Sequence, residues 1–248
     1  METGNVKRSI EISELNFSYV EDRPVINNMS FNAYGEESIG VIGANGAGKS
    51  TLLKLIVGIE LSFTGQIKVC EHILSKNELS HVREHVGYVF QDSDSQLFMT
   101  KVEDDIAFAP KNYGLDAEDI NMRVERAMSM VHIENLRGRN IHSLSGGEKK
   151  LASIATILSM NPDIILMDEP SVALDPQNRR NLIGIINELP GLKIIASHDL
   201  DFVMDTCDRV ILINKGIIVK DGRTSDILMD KELLESNGLE LPLSYSRN

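Results

Sequence analysis

An α/β fold is predicted: a mostly parallel sheet with crossover helices, preceded by an amino-terminal antiparallel β region and interrupted by a helical lobe. Three observations carry it. The first third of the chain spaces apolar residues two apart, the middle shifts to helical periodicity, and the last third alternates short apolar strands with helical stretches. In order, Ile10, Ile12, Leu15, Phe17 and Tyr19 keep a period of two with one slip, and VINNMSF and ESIGVIG continue the strand character. From Glu103 onward VEDDIAFAP reads as helix, as does AEDINMRVERAMSMV, where Ile120, Val124, Ala127 and Val131 share one face. The lobe is expected over residues 92–160. Then DIILMD, KIIAS and RVILI read as strands, NKG as the turn of a terminal hairpin with IIVK, and SDILMDKELLESNG as one last helix ending at Gly238. The expected organisation is a single domain over 1–248, with the lobe inside it and a carboxy-terminal helical extension over 223–248.

Composition excludes several classes. A chain of 248 residues with 42% hydrophobic and 25% charged residues buries a core and is not a disordered protein. Its 37 acids against 25 Lys and Arg give a net charge of -12, which repels a phosphodiester backbone and argues against nucleic acid as the main partner. Cys70 and Cys207 form no CxxC pair, so neither a disulfide framework nor a zinc ribbon is indicated and a reducing compartment is expected. Uninterrupted apolar runs stop at about four residues, far below the ~18 of a membrane span, and METGNVKRSIEIS lacks the apolar stretch of a secretory signal.

The chemistry begins where ESIGVI runs into Gly43-Ala44-Asn45-Gly46-Ala47-Gly48-Lys49-Ser50-Thr51 and then an apolar helix. This fits the GxxxxGK[ST] phosphate loop in its required strand-to-helix context. Glycines let successive backbone N–H groups curl around an anion, and the helix presents its positive end to the same phosphates. Lys49 would reach the β and γ phosphates, and the Ser50 hydroxyl would ligate Mg²⁺. The apolar run Ile164-Ile165-Leu166-Met167 ends in Asp168-Glu169. Adjacent carboxylates at the end of a buried strand need partners: Asp168 can face the metal, and Glu169 can accept a proton from attacking water. In Leu144-Ser145-Gly146-Gly147-Glu148, Ser145 and Glu148 make a capping box, with Leu151, Ile154, Ala155 and Leu158 as the buried stripe behind it. An ordinary capped helix explains the serine and glutamate but not two glycines in its first turn, which weaken a helix and imply a second anion-binding start.

Phosphate loop, LSGGE, IILMDE and Ser197-His198-Asp199, in that order, resemble the nucleotide-binding subunit of ATP-binding-cassette (ABC) transporters over residues 9 to about 225. The resemblance implies a P-loop NTPase (RecA-like) core. It also implies a head-to-tail dimer, with an identical or paralogous ABC ATPase protomer, in which one LSGGE helix closes over the nucleotide on the other chain's phosphate loop. ATP and Mg²⁺ are the implied cofactors. Tyr19 would stack on adenine; Asn45, Gly46, Ala47, Gly48, Lys49, Ser50 and Thr51 would bind the phosphates, with Ser145, Gly146 and Gly147 supplied across the dimer. Ser50, Gln91 and Asp168 would serve the metal. Glu169, His198, Gln91 and Lys49 would be the catalytic set, with Glu169 the general base, His198 the γ-phosphate switch and Gln91 also on the lytic water. Asp175 would cross to the partner site, and with Pro176 it suits a helix start.

The chain departs from the family where Gln is common at 148, Gly at 173 and a basic residue at 151; here stand Glu148, Ala173 and Leu151. The stretch YVFQDSDSQLF with VEDDIAFAPKNYGL resembles energy-coupling-factor importers, especially of the cobalt and nickel type, though Ser93 stands where proline is frequent. That implies a transmembrane permease and substrate-binding membrane subunits as partners, no nucleic acid, and a cytoplasmic location on the inner face of the membrane. Phe98, Met99 and Phe108 are expected to line the permease groove, or else to pack the lobe's own core. The alternative is a non-transport ABC ATPase acting on DNA or the ribosome; the span from Lys49 to Ser145 holds no sustained heptads for the coiled coils that DNA-acting members carry. His81 and His85 have a spacing that can hold zinc, but with no further ligand evident they read as a solvated pair. Glu103-Asp104-Asp105 reads as a water-facing helix start.

Overall fold

The computed structural model describes residues 8–245; residues 1–7 and 246–248, which include the first positions of the secretory-signal reading and the last of the carboxy-terminal extension, lie outside it. β1 (Ser9–Val20) pairs antiparallel with β2 (Arg23–Tyr34). The slip in the period-two pattern is a β-bulge: register shifts between Ile12 and Leu15, and Glu14 takes φ 49. The bulge keeps Ile10, Ile12, Leu15 and Phe17 all buried on one face. β3 (Ser38–Ile42) leads to α1 (Lys49–Ile56), and β4 (Thr64–Val69) and β5 (His72–Ile73) extend the first sheet to the order β2-β1-β4-β5.

After α2 (Leu79–His85) and β6 (Val86–Val89) comes the helical region: α3 (Val102–Ile106), α4 (Phe108–Asn112), α5 (Ala117–Met130) and α6 (Gly146–Leu158). β7 (Ile164–Asp168), α7 (Pro176–Glu188), β8 (Leu192–Ala196), α8 (Leu200–Thr206) and β9 (Arg209–Asn214) then alternate, and β10 (Ile217–Arg223) returns antiparallel to β9. The second sheet runs β10-β9-β3-β8-β7-β6, with β9, β3, β8, β7 and β6 parallel. Both faces of this sheet are covered, which is why its strands are continuous apolar runs. Ile164 and Leu166 face the core shared with the first sheet and α1, while Ile165 and Met167 face the core shared with α6 to α8.

Two expectations need correction. The last helix is two, α9 (Thr224–Leu228) and α10 (Lys231–Ser236), because Asp230 turns extended and its side chain accepts from the Leu233 N–H, capping a new start. The end at Gly238 holds, with φ 73 and the Leu239 N–H donating to the Leu234 carbonyl. The acidic run does open α3, but Asp105 does not face water. It is 4% exposed, and one carboxylate oxygen accepts the N–H groups of Phe98 and Met99, both at 2.9 Å. Burial raises its pKa, opposed by those two hydrogen bonds.

Candidate nucleotide-binding site

Because five strands are parallel, their carboxyl ends share one edge, and ligands of open α/β sheets gather at that edge. β3 delivers the phosphate loop there, β6 Gln91, β7 Asp168 and Glu169, and β8 Ser197 and His198. A cavity of about 530 Å³ opens between them, lined by Tyr19, Val25, Asn45, Gly46, Gly48, Lys49, Ser50, Thr51, Gln91, Glu169, Val172 and His198. A cavity of about 770 Å³ under the 239–244 segment shares His198 but none of the phosphate-loop residues.

The loop needs glycine for backbone reasons. Gly43 has φ 155, and a Cβ there would collide with the Ile213 carbonyl; Gly48 has φ 108, and a Cβ there would lie 2.9 Å from the Val25 oxygen. α1 starts at Gly48 with no side-chain cap, whereas α5, α6, α7 and α8 are each capped by a side-chain oxygen. Its first N–H groups therefore stay available to an anion. Lys49 is buried, its Nζ donating to the carbonyls of Gly43 (2.8 Å) and Ala44 (3.4 Å) and lying 3.8 Å from Glu169 Oε1. Burial lowers its pKa, and the charges of Glu169 and Asp168 oppose that.

Ser50 Oγ donates to Asp168 Oδ1 at 2.7 Å, and the Tyr88 hydroxyl donates to Asp168 Oδ2 at 3.1 Å. Burial, then the Asp168 charge, hold the phenol proton on Tyr88, so it stays a donor. The Ser50 hydroxyl and the Asp168 carboxylate form an all-oxygen donor pair, the chemistry Mg²⁺ selects. Glu169 sits at φ 47, its N–H donating to the Ala196 carbonyl at 2.8 Å. Its Oε2 accepts from Ser197 Oγ (3.3 Å) and the His198 N–H (3.2 Å), and His198 Nδ1 lies 2.8 Å away. The glutamate is buried while the histidine ring is 56% exposed, so His198 bridges the carboxylate and the cavity. Asp199 caps α8 and pairs with Arg179 at 2.8 and 3.0 Å, fixing the turn that carries His198.

Tyr19 is 53% exposed at the rim, edge-on to Phe17, with its hydroxyl 3.4 Å from Thr51 Oγ1. Ala47 is buried, its N–H donating to the Ala44 carbonyl and its own carbonyl accepting from the Gly216 N–H. Ser145, Gly146 and Gly147 do not join the cavity within this chain. The capping box forms, with the Ser145 N–H donating to Glu148 Oε2 at 2.7 Å and the Glu148 N–H to Ser145 Oγ at 3.3 Å. Gly146 is exposed with open space about it, but a Cβ on Gly147 would meet the Asn178 side chain at 2.5 Å. One glycine is therefore explained by packing within the chain, and the other leaves the capped helix start open to solvent at Gly146. Ala173 has φ 62, a left-handed conformation that favours glycine and accounts for the residue common there in the family.

Sequence reasoning missed Lys150. Its side chain is buried and donates to the carbonyls of Phe90 (3.0 Å) and Gln91 (2.7 Å), tying the LSGGE helix to the loop that presents Gln91. The signal was present: a lysine four residues before Ile154 lies on the buried face of an amphipathic helix. Burial pushes its ammonium from 10.5 down to about 8, against the Asp92 and Asp168 charges. The unfolded chain then holds that proton more tightly than the folded one, so this group makes stability rise as pH goes from about 8 towards 10.5. Lys150→Met is expected to remove that rise, measured as the denaturation midpoint at several pH values for variant and wild type.

Residues 26–172 match the family model described as ABC transporter. The chain belongs to the ABC transporter ATP-binding family and is an ATPase of the transport-coupled kind. A protein of Geobacter sulfurreducens whose name gives it as an ABC transporter ATP-binding protein, with no cargo, is 42% identical over 235 residues, covering 95% of this chain and 94% of that one. The energy-coupling factor transporter ATP-binding protein EcfA of Carboxydothermus hydrogenoformans is 39% identical, covering 95% of this chain and 88% of that one. Among solved structures, cbiO1 of Clostridium perfringens, described as part of the ABC transporter complex cbiONQ, superposes with a TM-score of 0.83 at 32% identity, covering 92% of this chain and 93% of that one.

Proposed function

We propose that this chain is the ATPase of an energy-coupling-factor importer, binding Mg·ATP, pairing with a second ABC ATPase protomer around it, and hydrolysing it to drive a membrane permease. One observation carries the reading: Lys49, Ser50 with its bond to Asp168, and the Glu169–His198 pair converge on one cavity, while the helix start at Gly146 is exposed and does not line it. A site complete on the phosphate-loop side and lacking the second helix start is one that another copy finishes. Bound Mg²⁺ would neutralise charge on the β and γ phosphates. Ser50 and Asp168 would hold that ion, and Gln91, at the β6 end of the cavity, would serve it and the lytic water. Lys49, once turned from the Gly43 carbonyl, pairs with the phosphates. Glu169 takes the proton of the attacking water, and His198 positions that carboxylate and senses the γ-phosphate. Tyr19 stacks on the adenine at the rim. Most of the rate then comes from positioning and preorganised charge.

The relatives named as an energy-coupling factor transporter ATP-binding protein and as part of the ABC transporter complex cbiONQ support the energy-coupling-factor type; the cargo we propose, from the sequence resemblance, is cobalt or nickel ions or a vitamin. Among the described residues no helix is long and apolar enough to cross a membrane; in the proposed assembly, permease and substrate-binding subunits would supply the membrane part, with this chain docked on the inner face. The docking surface we assign is the exposed pair Phe98 and Phe108, edge to face at 4.8 Å, beside half-buried Met99. The buried Asp105 holds the Phe98 and Met99 backbone, so the aromatic edge is presented by a fixed loop. Expression with the neighbouring genes and purification of this chain should recover a small hydrophobic permease. Phe98→Glu with Phe108→Glu should abolish that recovery while leaving the thermal midpoint near wild type. Recovery of ribosomes or nucleic acid instead would place the chain among non-transport ABC ATPases.

A further inference from the structure

We propose that His72, Glu78 and His81 form a binding site for a late first-row divalent cation (cobalt, nickel, copper or zinc), separate from the nucleotide site. The sequence shows only the His81/His85 spacing; folding adds two donors. β5 brings His72 beside α2, and Glu78, the residue just before α2, reaches both imidazoles: its Oε2 lies 2.9 Å from His72 Nδ1 and 3.3 Å from His81 Nδ1. One potential ligand atom from each of the three lies within 4.8 Å of the others. The His72 and His81 rings are parallel to within 5° with centroids 5.0 Å apart. Two imidazoles and a carboxylate with an open fourth position are the donor set of such ions, and hard Mg²⁺ does not favour it. All three side chains are partly exposed, at 31, 38 and 54% for His72, Glu78 and His81. They are therefore free to contract by the roughly 1 Å that ligand distances near 2 Å require. His85, the second member of the sequence pair, stacks on His72 at 6.1 Å, but its Nδ1 is held 2.7 Å from Asp163 Oδ2, so it stands beside the site rather than in it.

None of these residues lines the nucleotide cavity. The helix that carries His81 does touch the far end of α1: Arg83, on α2, donates to the carbonyls of Val57 and Gly58, where α1 stops. A bound ion would clip the β5 turn to α2 and so brace the element that backs the phosphate-loop helix.

The test is a titration of the purified full chain, free of nucleotide and in excess Mg²⁺ to fill the oxygen site, with Co²⁺ followed by visible absorption and Zn²⁺ by calorimetry. One saturable equivalent, with the intense visible bands of low-coordinate cobalt and a zinc-dependent rise in melting temperature, is expected. His72→Ala and Glu78→Gln should each weaken it by about tenfold or more, and His72→Ala with His81→Ala should abolish it. The apo melting curves of these variants show whether they fold. His85→Ala should retain the equivalent. No saturable binding at millimolar metal would overturn the site, as would undiminished binding in the folded double variant; neither result bears on nucleotide binding, so the proposal stands or falls apart from the transport reading.

Discussion

Glu169→Gln is expected to lower ATP turnover by about 10²- to 10⁴-fold, the range of a lost general base, while ATP still binds. The substitution keeps the shape of a side chain whose Oε2 already accepts from Ser197 and the His198 N–H, so the turn at β7 should not move. What it removes is the carboxylate proposed to accept the water proton. In the proposed pairing, nucleotide held between two protomers is then not consumed, and the pair should persist. Phosphate release, equilibrium nucleotide binding and size-exclusion in Mg·ATP measure the three effects. Near-normal turnover would take Glu169 out of the role of base.

Lys49→Ala has the opposite signature, a loss of binding. A buried ammonium is costly, and at Lys49 desolvation outweighs the attraction of Glu169 and Asp168, which is why its pKa falls. Removing it also leaves the buried Glu169 without the cation 3.8 Å away and the Gly43 carbonyl without its donor, so the thermal midpoint without nucleotide should fall somewhat and is measured beside the affinity. A charge-assisted hydrogen bond to phosphate contributes about 1.5–3 kcal/mol, so ATP affinity should drop about 10- to 100-fold. The shift in melting temperature that ATP gives the wild type should shrink accordingly. A variant that melts early while binding ATP normally would show that Lys49 serves the fold and not the phosphates.

The phosphate loop, the Asp168-Glu169 pair and the LSGGE helix start were legible because each is local. A strand, a glycine turn and a helix start follow one another in sequence, and the anion-binding geometry needs no distant residue. The slip in β1 was visible as a break in period, though only pairing with β2 shows that a bulge keeps Leu15 and Phe17 inside. Asp105 misled for a physical reason. Three consecutive acids at a helix start look solvated, and nothing local says that the Phe98 and Met99 N–H groups will fold back onto the third. The break between α9 and α10 was missed because Asp230 scores as an ordinary helical residue unless its capping bond to Leu233 is seen.

By itself, the sequence determined which backbone segments can cradle phosphate, which carboxylates follow a buried strand, and that the chain belongs with ATP-driven proteins, because those properties arise from neighbours along the chain. The tertiary structure alone decided that Ser50 meets Asp168, that Glu169 meets His198, that Lys150 steadies Gln91, that Gly147 is filled by Asn178 while Gly146 stays bare, and that His72 and Glu78 join His81. These contacts join residues on different elements. Parallel strand order and the packing of α2, α6 and α7 set their distances, and periodicity carries no record of such packing.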